Sequence, residues 1–241
     1  MRHDTVKIER PNVKMVAHRG LSGLEKENTN AAFVAAGNRS YWGVETDVHL
    51  TKDGQFIIIH DDNTERVAGD ALSVENSTFE TLRKVRLKDV DDQRGRTDLC
   101  LPSLQEYVQI CKKYDKTCVL ELKNPIPADA IERMVQLIRD EAYLDRVIFI
   151  SFHLENCVCL RHLLPEQKIQ FLTGYFPDWL VDTLKRYCLD LDIYYKALTK
   201  EIVDAVHAEG IEINAWTVDD VDDARRLADW GIDYITSNIV E

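Results

Sequence analysis

The sequence predicts an α/β barrel, on three observations. Runs rich in Val, Ile and aromatic residues recur along the chain with helix-like stretches between most of them, the alternation of a parallel sheet covered by helices. The 241 residues are about what one such barrel uses, and no Gly-, Pro- or Ser-rich linker divides them. Nine strand candidates can be counted, one more than a closed eight-strand barrel needs, and the surplus falls where a hairpin is expected.

In chain order, Val13 to His18 is the first strand candidate, and Asn30 to Gly37 is a helix with Thr29 or Asn28 as its cap. Val44 to Leu50 and Phe56 to His60 are strand candidates flanking Lys52-Asp53-Gly54, and Asp-Gly between two strand runs is a strong hairpin signal. A two-residue turn there pairs Asp47 with His60; the alternative is that His60 ends a parallel strand beside Asp47. Residues 62–101 are dense in charge and poor in strand signal. A structureless loop of that length is improbable in a single domain spanning 1–241, so the segment is expected to be a barrel-mouth insertion with a short helix at Phe79 to Val85.

Beyond it, strands are expected at Thr117 to Lys123, Arg146 to Ser151, Ile169 to Leu172, Leu191 to Tyr195, Ile211 to Thr217 and Tyr234 to Ser237. The helices between them are Leu104 to Tyr114, Ala128 to Glu141, Leu154 to Leu164, Asp178 to Tyr187, Thr199 to Glu209 and Val221 to Trp230, the last capped by Asp219 or Asp220. Gly210 and Gly231 stand where helix-to-strand turns call for positive φ.

Charge and composition narrow the function. A formal net charge of −12 argues against a nucleic-acid partner, because phosphate backbones need a cationic field. The first ten residues lack an apolar core of signal-peptide length, and no run of about 18 apolar residues occurs. A cytoplasmic location without stable membrane association is therefore expected; the oligomeric state is left open. The six cysteines show no paired metal-ligand spacing, and Cys157-Val-Cys159 is too close for a C-x₂-C knuckle, so reduced structural thiols are expected.

The chemistry shows where ionisable groups interrupt apolar strand runs: Val-Ala-His18-Arg19-Gly20, Val-Glu45-Thr-Asp47-Val, Ile-Ile-His60-Asp61 and Leu-Glu121-Leu-Lys123. The i, i+2 spacing puts Glu45 and Asp47 on one strand face, and Glu121 with Lys123 on another. Two like charges about 4 Å apart repel by roughly 4 kcal/mol at an effective dielectric of 20, so three gathered carboxylates need a cation. All-oxygen donors favour Mg²⁺ or Ca²⁺ over zinc.

His18-Arg19-Gly20, Glu27-Asn28-Thr29, Glu45-Thr-Asp47, Lys52-Asp53-Gly54, His60-Asp61, Glu121-Leu-Lys123, Ser151-Phe152 and Ala215-Trp216-Thr217-Val218, in this order and spacing, resemble the glycerophosphodiester phosphodiesterase family over nearly the whole chain. The resemblance implies a TIM-type (β/α)₈ barrel that hydrolyses a small glycerophosphodiester to an alcohol and sn-glycerol 3-phosphate, through a cyclic phosphate. It implies His18 and His60 as the acid/base pair, and one divalent metal ion, Mg²⁺ or Ca²⁺, on Glu45, Asp47 and Glu121. It further implies Arg19 and Lys123 on the phosphate, and Trp216 in the pocket; Phe152 stands where it would contact the alcohol or plug the barrel. A phospholipase of the phosphatidylinositol or sphingomyelin type, or a non-catalytic phosphodiester-binding barrel, is the alternative.

The chain departs from the family pattern at Lys26, where Pro is common, at Asp219, where the Trp-Thr-Val motif usually ends in Asn, and at Ser237-Asn238, where an acidic residue is usual. A short or absent closing helix is expected after the last strand. Simpler structural roles are expected for the remaining polar residues: Glu27 and Asn28 opening the first helix, His49 at the hairpin or pocket rim, and His3 and His153 at the surface.

Overall fold

The computed structural model describes residues 4–9 and 12–241, which excludes His3. In chain order the elements are β1 (Lys14–Ala17), α1 (Asn30–Gly37), β2 (Gly43–Leu50), β3 (Phe56–Ile58), α2 (Glu65–Ala68), α3 (Phe79–Arg83), α4 (Leu104–Lys113), β4 (Thr117–Leu122) and α5 (Ala128–Asp140). They continue with β5 (Val147–Ser151), α6 (Leu154–Leu163), β6 (Ile169–Thr173), α7 (Leu180–Tyr187), β7 (Asp190–Tyr194), α8 (Lys200–Ala208), β8 (Ile213–Trp216), α9 (Val221–Asp229) and β9 (Tyr234–Ser237).

Eight of the nine strands run parallel in the order β1-β9-β8-β7-β6-β5-β4-β2, and β1 pairs with β2 to close the ring. Each strand is buried on both faces, which is why the runs read as nearly continuous apolar stretches. Outward residues such as Val44, Val48, Leu120, Phe149, Leu191 and Ile193 pack with helix residues in one large apolar layer. Inward ones such as Val16, Val119, Ile148, Ile150, Leu172 and Tyr234 fill the barrel.

The helices form because their apolar positions recur at helical spacing and their ends are capped. In α4, Leu104, Tyr107, Val108 and Cys111 make the buried stripe, and Ser103 with Glu106 closes a capping box. Tyr107 donates its hydroxyl to the Val44 carbonyl at 2.7 Å, tying this helix to β2. Thr29 caps α1 and Asp220 caps α9, while Gly210 and Gly231 take positive φ. Helix α7 begins two residues later than the sequence suggested, its first amide bonding to the Pro177 carbonyl.

The ninth strand is a hairpin arm, but its register differs from expectation. β3 is antiparallel to β2, with Val48 opposite Ile58 and Leu50 opposite Phe56. The turn spans three residues, not two: the Thr51 amide bonds to the Gln55 carbonyl, the Gly54 amide to the Thr51 carbonyl, and Gly54 takes φ +75°. The extra residue puts Ile59, whose amide bonds to the Asp47 carbonyl, where His60 was expected, and the parallel arrangement for His60 does not occur.

Residues 62–101 build a small apolar cluster from Val67, Ala68, Val74, Leu82, Leu87, Leu99 and Leu101 against Ile57 and Ile59. All six cysteines are unpaired. Among the described residues no helix is long and apolar enough to cross a membrane.

Candidate active site

Strand register assembles the site. Asp47 and Glu121 are partners across the β2–β4 pair, and Glu45 lies two residues earlier on the same inward face of β2. One oxygen from each of Glu45, Asp47 and Glu121 can be chosen so that all three lie within 4.8 Å of one another, and all three residues are buried. Lys123 Nζ sits 2.7 Å from Glu121 Oε1 and 3.4 Å from Asp47 Oδ1. Neither approach has hydrogen-bond geometry, so Asp47 Oδ1 and Glu121 Oε1 are buried oxygens without a hydrogen-bond partner.

Backbone conformation supplies the other contacts. Arg19 and Asn28 both take left-handed φ, 52° and 53°, where a side chain carries strain that the surroundings must hold. The turn at Arg19 aims its amide at Glu45 Oε2, 2.7 Å away, and the Gly20 amide bonds to the Glu45 carbonyl. Asn28 does not cap the helix: it is buried, accepts from Thr46 Oγ1 and donates Nδ2 to Asp47 Oδ2 at 2.7 Å. Arg19 reaches Glu27 Oε1 at 2.9 Å and lies 3.5 Å from Asp47 Oδ2.

Crowding of like charge in a dry site moves the acids apart. Burial, then the charges of Asp47 and Glu121, push the Glu45 carboxyl well up. Burial and Asp47 push Glu121 up to about 7, against the pull of Lys123. Asp47 is held well down despite its burial, chiefly by Lys123 and Arg19. Two acids resist ionisation beside one that does not, because ionising all three would put three negative charges against the two positive ones of Lys123 and Arg19. The orphaned oxygens and the all-carboxylate donor set fit a hard divalent ion on these three residues.

Each histidine is held through Nδ1. His18 Nδ1 lies 2.7 Å from Asn238 Oδ1, and Asn238 is fixed in turn by Asp219, which accepts from its amide and its Nδ2 at 2.8 and 2.6 Å. His60 Nδ1 lies 2.6 Å from Asp61 Oδ1. Arg66 bridges Asp61 to Glu27, linking the His60 side of the site to Arg19. Both imidazoles therefore leave Nε2 for other partners. Burial and the Arg19 charge push His18 down to about 4, while His60 is lowered mainly by burial against the opposing charge of Asp47.

His18, Arg19, Glu45, His60, Glu121, Phe152 and Trp216 line one inner cavity of about 190 Å³ at the C-terminal mouth of the barrel. The Phe152 and Trp216 rings stack edge-on at 5.7 Å. His18 and Arg19 also line an outer cleft of about 650 Å³, whose wall includes Leu24, Asp219 and, from residues 62–101, Val90. A cleft of about 640 Å³ around Lys14, Trp42 and Lys168 lies at the N-terminal end, away from these groups.

The structure thus gathers His18, Arg19, Glu45, His60, Glu121, Phe152 and Trp216 around the inner cavity, with Asp47 completing the acid trio and Lys123 in contact with it. His49 lies in the β2–β3 hairpin opposite Ile57, as one of the two expectations had it, and is buried rather than at the rim, with Nε2 3.4 Å from the His60 carbonyl. His153 is half-buried. Sequence reasoning missed Asp61, Asn238 and Asp219 as the groups behind the histidines, and Asp192, which lines the inner cavity. Asp61 adjoins His60, and Asp192 sits between Leu191 and Ile193, the same charged interruption that marked Glu45.

The glycerophosphoryl diester phosphodiesterase family model matches residues 18–241. A glycerophosphodiester phosphodiesterase of Caldanaerobacter subterraneus subsp. tengcongensis is 29% identical over 230 residues, covering 93% of this chain and 93% of that one. Among solved structures, an Oleispira antarctica phosphodiesterase in complex with its product sn-glycerol-3-phosphate is similar at TM-score 0.85 and 25% identity, covering 93% of this chain and 92% of its own. A glycerophosphodiester phosphodiesterase from Parabacteroides distasonis is similar at TM-score 0.79 and 27% identity, covering 94% and 93%.

Proposed function

Because the chain belongs to the glycerophosphoryl diester phosphodiesterase family, and is a hydrolase by that membership, we propose that it cleaves soluble glycerophosphodiesters to an alcohol and sn-glycerol 3-phosphate with His18 and His60 as its acid/base pair. The observation that carries the proposal is two imidazoles, each fixed at Nδ1, facing one cavity together with carboxylates of the acid trio. A phosphodiester needs its charge neutralised, a nucleophile deprotonated and the departing alkoxide protonated. A Mg²⁺ or Ca²⁺ ion held by Glu45, Asp47 and Glu121 would supply positive charge to the phosphoryl oxygens.

Arg19 and Lys123, at the edge of the trio, add cationic donors for the phosphate. The two histidines divide the proton work by what stands behind them. His18, backed by the neutral Asn238 amide and pushed down to about 4, is the better resting base, and it takes the proton of the glycerol hydroxyl beside the phosphate. That oxygen attacks phosphorus as His60, backed by the Asp61 carboxylate that stabilises its charged form, protonates the departing alcohol oxygen. Cyclic phosphate and free alcohol result. In the second half His60 takes a proton from water and His18 returns its own to the glycerol oxygen, so each residue ends as it began.

Residues 62–101 we assign as an insertion that shapes entry, since Val90 stands in the outer cleft beside His18. Trp216 and Phe152 wall the carbon skeleton in the inner cavity. The test is turnover of glycerophosphocholine and glycerophosphoethanolamine by the purified chain, with EDTA and after Mg²⁺ or Ca²⁺ is restored. Loss on chelation and recovery with metal is expected; turnover indifferent to EDTA would remove the metal from the reading.

A further inference from the structure

Four inward polar side chains lie on neighbouring strands at and beneath the cavity floor: Gln170 on β6, Asp192 on β7, Asn214 on β8 and Thr236 on β9, none more than 2% exposed. Burying such groups is costly unless their donors and acceptors are matched. Most are. Thr236 Oγ1 donates to Asn214 Oδ1 at 3.0 Å, and Asn214 Nδ2 reaches both Asp192 Oδ2 at 3.3 Å and Gln170 Oε1 at 3.5 Å. Two atoms are left over: Asp192 Oδ1, an acceptor, and Gln170 Nε2, a donor, are both buried with no hydrogen-bond partner.

That oxygen belongs to a residue lining the inner cavity, whose floor is otherwise Ile150, Leu172 and Thr236. Asp192 is not one of the three acids that share an ion-sized space. Burial and the charge of Glu121 push its carboxyl well up, so an anionic phosphate would raise the cost of ionising it further, and an apolar group would leave it unmatched. A neutral hydroxyl, which brings one donor, satisfies it. Trp216, in the wall of the same cavity, has a buried Nε1 without a partner, so the cavity offers an acceptor and borders a donor.

We propose that Asp192 receives the terminal hydroxyl of the substrate's glycerol, the one on the carbon farthest from phosphorus, and so selects glycerol over shorter or deoxygenated diols. This rests on the hydrolase reading above. The phosphate and its neighbouring hydroxyl must stay with Arg19, the histidines and the acid trio, so the far end of the three-carbon chain is what remains to reach the floor. A site that pairs a buried group with a substrate hydroxyl rejects the analogue lacking it, because that group is then stranded.

The test compares glycerophosphocholine with its analogue carrying hydrogen in place of the terminal hydroxyl, by kcat/KM, and sn-glycerol 3-phosphate with its matching deoxy analogue, by calorimetry in the presence of Mg²⁺ or Ca²⁺. The wild type is expected to prefer the glycerol compound by on the order of a hundredfold. Asp192→Leu should bring that ratio close to one, the loss falling on the glycerol compound. Asp192→Asn keeps the shape should the leucine variant fail to fold; its oxygen stays toward Asn214 and its N–H₂ replaces the acceptor, so the ratio should fall several-fold. A wild type that does not discriminate, or variants that lose equally on both compounds, would overturn the proposal while leaving the hydrolase reading intact. Discriminating binding without turnover of either diester would do the reverse.

Discussion

Glu45→Gln separates the electrical function of the acid trio from its architecture. Each pair of ionised carboxylates at the 4.8 Å limit of the cluster repels by about 3 kcal/mol at an effective dielectric of 20. The substitution removes that repulsion at the price of the Arg19 attraction, and the amide oxygen can still accept from the Arg19 amide that now bonds Glu45 Oε2. Without metal, at pH 8, the variant should therefore melt at or a few degrees above the wild type. With metal the order reverses. At a metal concentration a hundredfold above Kd, binding adds about 2.7 kcal/mol, which for a chain of this length is roughly 5–10 °C in Tm.

The wild type should show that shift and the variant should not. Sign follows from the proton balance. Glu121, raised to about 7 in the fold against an ordinary 4.5, makes the folded state bind more protons than the unfolded one between those values, so metal-free stability falls as pH rises through that window. Metal needs those protons gone, so its stabilising shift should be smaller at pH 6 than at pH 8. Scanning fluorimetry with EDTA against Mg²⁺ or Ca²⁺ at both pH values reads all four conditions. A full metal shift in the Glu45→Gln variant, or one that grows on acidification, would refute the reasoning.

His18→Ala and His60→Ala should each lower kcat by about 10²–10⁴ with circular dichroism unchanged, and a double variant that still turns over would remove both from the chemistry. Asn238→Asp places a second carboxylate where Asp219 now accepts the Asn238 Nδ2 at 2.6 Å, so it should depress kcat; adding Asp219→Asn restores one acid and one amide and should recover activity that the single variant lost.

Strand positions were readable because barrel strands are buried on both faces: Val44 to Leu50 and Thr117 to Lys123 mix apolar residues with polar ones, and the ionisable groups set among them include the acid trio and Lys123. The hairpin register was not readable from Asp53-Gly54 alone. The turn is lengthened by Thr51, whose hydroxyl accepts from the Gln55 amide and donates to Asp53, a local bond that competes with the two-residue turn. The groups behind the histidines divide by distance along the chain. Asp61 adjoins its partner His60, but Asn238 meets His18 across 220 residues, and only closure of β1 against β9 brings them together.

Glu45 and Asp192 show where reading a chain gives way to seeing it folded. Each is a carboxylate on the inward face of a barrel strand, and each is buried. Glu45 shares the inward face of β2 with Asp47, and Asp47 faces Glu121 across the next pair, so its neighbours are acids and its need is a cation. Asp192 faces Leu172 on one side and Asn214 on the other, so its neighbour is an amide that satisfies one oxygen and leaves the second free. A buried strand carboxylate thus stands among acids in one case and beside an amide in the other. The difference is made by strand order, which decides what stands opposite each carboxylate.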